Sequence, residues 1–153
     1  MKVEVQNSDD TPQKTLTSEL CTECIAAIKA HLKSYDEQTK LDGAICIRTV
    51  GLEESQLLNS TYRGQDKPTN VLSFPAEIDG EERILGDLAI CWPVVEREAS
   101  EQGKTLAAHA THLVVHGILH LVGFDHEVDA EADEMEALEV VILAELDVTN
   151  PYV

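Results

Sequence analysis

The pattern of apolar and polar residues along the chain predicts about four short β-strands: two runs alternate between apolar and polar residues, and two are short, mainly apolar runs. Turn-forming residues lie next to several of these runs, as expected for strands. The runs cover residues 2–6, 44–50, 71–74 and 84–91. Asp87 interrupts the last run, and a charge within an apolar strand indicates either an edge position or support for a nearby metal site.

Apolar residues that recur every three to four positions predict helices between and after these strands. The helical segments are residues 17–33, 52–62, 93–102, 105–122 and 129–146. We expect Cys21 and Cys24 to be small core-facing side chains of the first helix. We expect Leu57 and Leu58 to form the buried side of the second helix.

The last predicted helix combines an apolar face with many acidic residues. We expect it to pack through Met135, Leu138 and Ile142, and we interpret its acids as a solvated face rather than a second metal site. Together the elements predict the α+β class. Residues 1–153 are expected to form a single domain, a small mixed sheet of about four strands surrounded by helices.

A histidine pair on the long fourth helix predicts a metal site. His116 and His120 lie four residues apart, so a helix places them on one face, about 6 Å apart along its axis. Gly123 is suited to end the helix, which allows His126 to supply a third nitrogen from outside it. Three protein ligands with an open fourth position are typical of catalytic zinc. We therefore expect one zinc ion per chain at the end of this helix.

The spacing of these histidines and of the glycine is that of the metzincin peptidases, with one difference. Metzincins carry a glutamate directly after the first histidine as their general base, and here that position is Gly117. The metal ligands are thus present without the peptidase base. Because glycine within a helix costs about 1 kcal/mol relative to alanine, we expect that a large substrate approaches closely there.

His112 lies one turn before His116 and offers another ligand set, with His116 and His120. The outer two histidines of that set would lie about 12 Å apart along the helix axis, too far for comfortable coordination of one ion. We therefore expect His112 to support the metal site or to face the substrate.

The charge pattern restricts how a nucleic acid could bind. The net charge is −18, and all eleven lysines and arginines lie at or before Lys104. Because phosphates are bound mainly through lysine and arginine, any RNA contact must use a local basic patch, and Arg63 and Lys67 share one loop, residues 62–70. We detect neither an export signal nor a membrane-length apolar run, so we expect reduced cysteines, a cytoplasmic location and no membrane partner.

Several stretches of the sequence resemble the signature of the YbeY family of bacterial rRNA maturation factors. They are HGILHLVGFDH (116–126), NSTYRG (59–64), KPTNVLSFP (67–75) and GDLAIC (86–91). The resemblance runs from about residue 57 to residue 152. It implies a zinc-dependent, single-strand-specific endoribonuclease that matures the 3′ end of small-subunit rRNA and takes part in ribosome quality control. It also implies partners: ribosomal RNA, the ribosome or its small-subunit proteins, and an assembly GTPase, but not DNA.

The resemblance also implies roles for individual residues. The three histidines of the first stretch bind zinc, and Arg63 lines the active-site channel. Three neutral imidazoles leave the ion its full double charge, and a guanidinium can pair bidentately with a phosphate and stabilise charge that develops on it. We expect Arg63 to be catalytic, and Lys67 and His112 to contact the substrate.

Two other classes of function stay open at this point. One is a metzincin-like metallopeptidase that uses a different base, and the other is a non-catalytic ribosome assembly factor whose zinc is structural. The sequence also leaves open whether a metal-bound hydroxide or the RNA's own 2′-hydroxyl attacks. Whether Asp87 and Asp125 support the metal site or are purely structural is open as well.

Overall fold

The computed structural model describes residues 3–32, 41, 43–76, 84–124 and 129–152. Its strands are β1 (Val3–Asn7), β2 (Ala44–Val50), β3 (Val71–Pro75) and β4 (Ile84–Cys91). Its helices are α1 (Ser18–His31), α2 (Leu52–Arg63), α3 (Trp92–Glu101), α4 (Leu106–Val122) and α5 (Asp129–Glu145). Each element predicted from the periodicity is present, with ends that differ from the prediction by at most two residues.

The strands form one mixed sheet in the order β1-β2-β4-β3, which confirms the predicted α+β class with a four-stranded sheet. β1, β2 and β4 are parallel, and β3 pairs with β4 in the antiparallel sense. β4 is therefore an inner strand, and the expectation that Asp87 marks an edge is wrong. Asp87 is paired on both sides, with Cys46 of β2 and with Phe74 of β3.

The main hydrophobic core lies between one face of the sheet and the helices α1, α4 and α5. Ile45, Ile47 and Leu88 of the sheet are at most 2% exposed and pack against this layer. The predicted core positions Cys21 and Cys24 of α1 are fully buried here, and all four cysteines of the chain are free thiols. The most central helix is α4, because it contacts α1, α3, α5 and two strands.

A smaller core lies on the opposite face of the sheet, under α2. Leu58 packs there, but Leu57 is 66% exposed, so the prediction that both leucines are buried is wrong for Leu57. The buried positions of α2 are instead polar, namely Ser55 and Asn59. Both of these side chains bond the loop that follows the helix. Leu57 lies two residues from each of them and therefore on the opposite, exposed side of the helix.

Both ends of α4 follow the predicted signals. Thr105 caps the start, because its hydroxyl accepts a hydrogen bond of 3.1 Å from the Ala108 amide. Gly123 ends the helix with a φ of 123°, and the amides of Gly123 and Phe124 bond the carbonyls of His120 and Leu119 in a Schellman arrangement. No single helix among the described residues is long and apolar enough to cross a membrane, although α3 and α4 pass that test as a pair bent by 119°.

Candidate metal centre and substrate cleft

Two of the three predicted metal ligands meet on α4. His116 and His120 lie one helical turn apart, and their Nε2 atoms are 3.1 Å from each other. Two nitrogens bound to one tetrahedral zinc at about 2.0–2.1 Å would lie roughly 3.3 Å apart, so this pair suits a shared ion. The predicted third ligand, His126, and its neighbour Asp125 lie outside the described residues.

A buried acid that we did not predict stands behind this pair. The Glu139 side chain, on α5, is fully buried, and its Oε1 accepts a hydrogen bond from His116 Nδ1. Its Oε2 accepts a hydrogen bond from the Tyr152 hydroxyl and lies 3.5 Å from His112 Nε2. Our interpretation of the acids of this helix as a solvated face is therefore wrong for Glu139.

The hydrogen bonds to Glu139 fix its charge. Burial alone would raise the pKa of this carboxyl, but bonds from His112, His116 and Tyr152 outweigh burial and lower the pKa to about 2. Burial and the hydrogen bond to Glu139 raise the pKa of Tyr152, so the phenol keeps its proton. An ionised carboxylate only accepts hydrogen bonds, so His116 must carry its proton on Nδ1. In a neutral imidazole with its proton on Nδ1, the lone pair that can bind a metal lies on Nε2.

A second grouping of metal-binding atoms shares His116. One ligand atom each from His112, His116 and Glu139 lies within 4.8 Å of the others, which is close enough to hold an ion. The described residues therefore contain a histidine–carboxylate group that fits a metal ion, in addition to the predicted histidine pair. His112 Nε2 also lies 3.4 Å from the Tyr152 hydroxyl.

The two histidines open into a cleft of about 550 Å³. Its lining includes both cations of the predicted basic loop, Arg63 and Lys67, so residues far apart in sequence share one cavity. The complete lining is Asn59, Arg63, Gln65, Lys67, Thr69, Asn70, Val71, Leu72, Ser73, His116 and His120. Within the described parts of the chain, neither cation forms an ion pair with a carboxylate, and both side chains are exposed. The local basic patch required by the charge pattern is thus present.

Buried polar residues of α2 fix the loop that carries these cations. The Asn59 side-chain amide donates to the Lys67 carbonyl at 2.8 Å, and the Ser55 hydroxyl bonds the backbone of Thr69 at 3.0 Å. Farther along, the Asn70 amide donates to Glu98, which also bonds His109 of α4. The loop is thereby tied to the helix that carries the histidine pair.

The sheet occupies the space beside Gly117. A Cβ atom at this position would lie 2.8 Å from Leu88 Cδ2 and 3.3 Å from Val71 Cγ2. The glycine therefore allows α4 to approach the sheet, and the expectation that a substrate approaches there is wrong. The Ser73 hydroxyl donates to the Gly117 carbonyl at 3.2 Å and holds β3 against the same turn. A glutamate in the metzincin position would require the buried Leu88 side chain to shift.

The remaining predicted site residues lie away from the histidine pair or beside it. Asp87 is exposed, and it lies on the sheet face opposite to Leu88, because neighbouring side chains of a strand alternate. Since Leu88 is the residue that meets α4, Asp87 points away from the metal side. His112 is only 14% exposed and contacts Glu139 and Tyr152.

Glu139 had a signal in the sequence that we did not use. Met135, Glu139 and Ile142 fall on one face of α5, and all three are buried. An acid on the apolar face of a helix needs a buried partner, and that rule identifies Glu139 as unusual. For Tyr152, which lies beyond the last helix, we find no comparable signal.

The fold and the site together define a class of protein: an α+β domain in which a histidine pair, and a histidine–carboxylate group that could hold a metal ion, lie beside a cationic cleft. A family model described as "Endoribonuclease YbeY" matches residues 3–147. A curated relative of that name from Colwellia psychrerythraea is 51% identical over 144 residues, covering 93% of this chain and 91% of the relative. Another, from Stutzerimonas stutzeri, is 60% identical over 114 residues, covering 72% of this chain and 71% of the relative.

The fold has a solved counterpart as well. A solution structure of a protein from Thermotoga maritima matches with a TM-score of 0.56 and 25% identity, covering 95% of this chain and 91% of that one. The chain belongs to the YbeY endoribonuclease family.

Proposed function

We propose that this protein is a zinc-dependent endoribonuclease that cleaves single-stranded RNA in the cleft between the loop of residues 62–70 and α4. One observation carries the proposal: Arg63 and the His116–His120 pair line the same cleft, although 53 residues separate Arg63 from His116. The relatives from two bacteria are named endoribonucleases, which supports the reaction class.

In this proposal one zinc ion is held by His116, His120 and His126. When bound, zinc would polarise a phosphodiester oxygen and acidify a water molecule. The Nε2 atoms of His116 and His120, which lie 3.1 Å apart, would face this ion. Neutral histidine ligands leave the positive charge of the ion available to an anionic substrate.

Arg63 has the catalytic role among the residues of this chain. Its planar guanidinium binds two oxygens of the scissile phosphate and stabilises the charge that develops on them. Lys67, on the same loop, attracts a neighbouring phosphate as a point charge. His112, for which a substrate contact was also expected, is not among the described residues that line the cleft; because it contacts Glu139 and Tyr152, its proposed role is to support the metal site. The overall charge of −18 repels RNA elsewhere, so binding depends on these few cations.

The family membership supports a biological substrate. We propose that the protein matures ribosomal RNA at the 3′ end of the small-subunit rRNA and takes part in ribosome quality control. The proposed partners are the ribosome or its small-subunit proteins and an assembly GTPase, and the proposed location is the cytoplasm. A substrate with one 2′-deoxyribose at the cleavage position distinguishes attack by water from attack by the 2′-hydroxyl.

Two observations argue against the peptidase alternative. Side chains of the sheet crowd the position of the metzincin base, because a Cβ atom at residue 117 would lie only 2.8 Å from Leu88 Cδ2. A guanidinium in the cleft suits a phosphodiester, because an amide bond offers no anionic group to bind.

The test compares RNA and casein as substrates, each with and without a chelator. We expect cleavage of single-stranded RNA only, and loss of that cleavage when zinc is removed. His120→Ala should lack both zinc and activity, whereas His31→Ala should resemble the wild type. His31 is a suitable control because its ring bonds Glu145 on the surface, outside the cleft. Casein cleavage, or RNA cleavage that survives in His120→Ala, would overturn the proposal.

A further inference from the structure

Glu139 is a charged side chain with no exposure to solvent, in the core between α4 and α5. Its two oxygens have different partners. Oε1 accepts from His116 Nδ1, while Oε2 accepts from the Tyr152 hydroxyl and faces His112 Nε2 at 3.5 Å. A buried charge is tolerated only where such bonds compensate its lost hydration, so the carboxylate is held in one orientation.

We propose that Glu139 is a positioning residue that fixes the tautomer and ring orientation of His116, and that Tyr152 in turn fixes Glu139. The inference rests on the proposed function in one respect, namely that His116 is a metal ligand. It adds two residues, one on α5 and one beyond it, to a site that is otherwise built by α4 and the loop of residues 62–70.

The hydrogen bond from the His116 ring to Glu139 determines which ring nitrogen can bind a metal. A histidine has two ring nitrogens, and the bond that one makes decides which of them can bind a metal. Here Nδ1 donates to Glu139, so the electron pair of Nε2 points toward His120 Nε2, 3.1 Å away. A carboxylate on the far nitrogen also makes the imidazole a stronger ligand.

The Glu139 carboxylate is itself held by Tyr152. Tyr152 lies seven residues beyond the end of α5, and its hydroxyl reaches back to Oε2. The same hydroxyl lies 3.4 Å from His112 Nε2, so His112 and Tyr152 surround one oxygen and leave the other to His116. Removing the hydroxyl should loosen the carboxylate without removing its bond to His116.

A rival role for Glu139 is that of a direct ligand, together with His112 and His116. The two roles make opposite predictions for the neighbouring histidines. If Glu139 positions His116, His112→Ala retains zinc and His120→Ala loses it. If Glu139 is a ligand, His112→Ala loses zinc and His120→Ala retains it.

The experiment measures the zinc affinity of the purified full-length protein by competition with a chromophoric chelator. Glu139→Gln keeps the shape of the side chain but removes its charge, and we expect its affinity to fall about 10- to 100-fold. Tyr152→Phe should show a smaller loss, below about tenfold, because the carboxylate remains. Glu134→Gln, which changes an exposed acid of the same helix, should bind zinc as the wild type does.

A spectroscopic readout separates positioning from general loosening of the fold. Cobalt(II) replaces zinc, and its visible absorption reports ligand geometry. We expect the spectrum of Glu139→Gln to change while the metal-free variant keeps its secondary structure by circular dichroism. A folded Glu139→Gln with wild-type affinity and spectrum would overturn the proposal. Should Glu139→Gln not fold, Tyr152→Phe decides, and wild-type affinity in that variant would overturn the proposal too.

The proposed function can fail separately from this inference. Wild-type protein that binds no zinc, or His120→Ala that binds it normally, would refute the ligand set. Loss of zinc from His112→Ala would refute the positioning role and favour direct ligation by Glu139.

Discussion

Replacing Arg63 should reduce RNA cleavage without affecting the fold or the metal. Arg63 is the last residue of α2, its side chain is exposed, and it lines the cleft with the histidine pair. Its removal therefore leaves no cavity in the core. Within the described parts of the chain, the structural loss is a cation at a helix C-terminus, which is worth about 0.3–1 kcal/mol.

The expected kinetic cost is larger than the structural cost. A hydrogen bond to a charged group contributes about 1.5–3 kcal/mol, and solvent in an open cleft favours the lower end of that range. Since about 1.4 kcal/mol is a factor of ten in rate, Arg63→Ala should lose at least about tenfold in cleavage rate. Arg63→Lys should not restore the rate, because lysine lacks the planar fork that binds two phosphate oxygens.

The assay is single-turnover cleavage of a short single-stranded RNA, with zinc measured on the same samples. Arg97→Ala is the matched control, since Arg97 is another exposed arginine, on α3, and its only described ion-pair partner is Glu101. We expect the control to cleave at the wild-type rate. An Arg63→Ala protein that cleaves as fast as the wild type would remove Arg63 from the mechanism, and a fast Arg63→Lys would refute the bidentate contact.

Three further predictions concern binding, packing and the cysteine pair. Lys67→Ala should weaken RNA binding modestly and should lower the magnitude of the slope of log affinity against log salt concentration by about one. Fluorescence anisotropy measures both quantities, and an unchanged slope would contradict a phosphate contact. Gly117→Glu should lower the free energy of unfolding in urea by at least about 2 kcal/mol and should create no casein cleavage, because the sheet fills the space and the charge is buried. Replacing both Cys21 and Cys24 with alanine should lower the free energy of unfolding by about 1–3 kcal/mol through lost packing, while bound zinc and activity persist. A folded, zinc-loaded but inactive double variant would show that the thiols take part in function.

The histidine pair and the fold class were accessible from the sequence because both follow from local rules. A spacing of four residues on a helix brings His116 and His120 together whatever surrounds them, and short alternating or apolar runs bounded by turn residues give the four strands. The cations were also identified, since Arg63 and Lys67 lie four residues apart in sequence, although Arg63 ends α2 and only Lys67 lies in the loop. That this loop faces the histidines depends on bonds from Ser55 and Asn59, which no local pattern reveals.

The errors have a common physical origin in tertiary packing. Leu57 was expected inside because it is apolar, but the inner face of α2 is used by polar residues that hold the loop. Gly117 was taken as room for a substrate, yet the room is filled by Leu88 and Val71. Glu139 was counted with the other acids of α5, although its position on the apolar face distinguishes it.

The most direct test of the proposed reaction is a titration of metal-free protein with zinc, in which RNA cleavage and bound zinc are followed together. The same titration on His112→Ala distinguishes the two ligand groupings around His116. We predict that the metal-free protein is folded and inactive. RNA cleavage should rise in proportion to bound zinc and reach its plateau at one ion per chain. The same result is expected for the wild type and for His112→Ala. Cleavage by the metal-free protein at the wild-type rate would contradict a zinc-dependent reaction. A His112→Ala variant that binds no zinc would contradict the proposed ligand set.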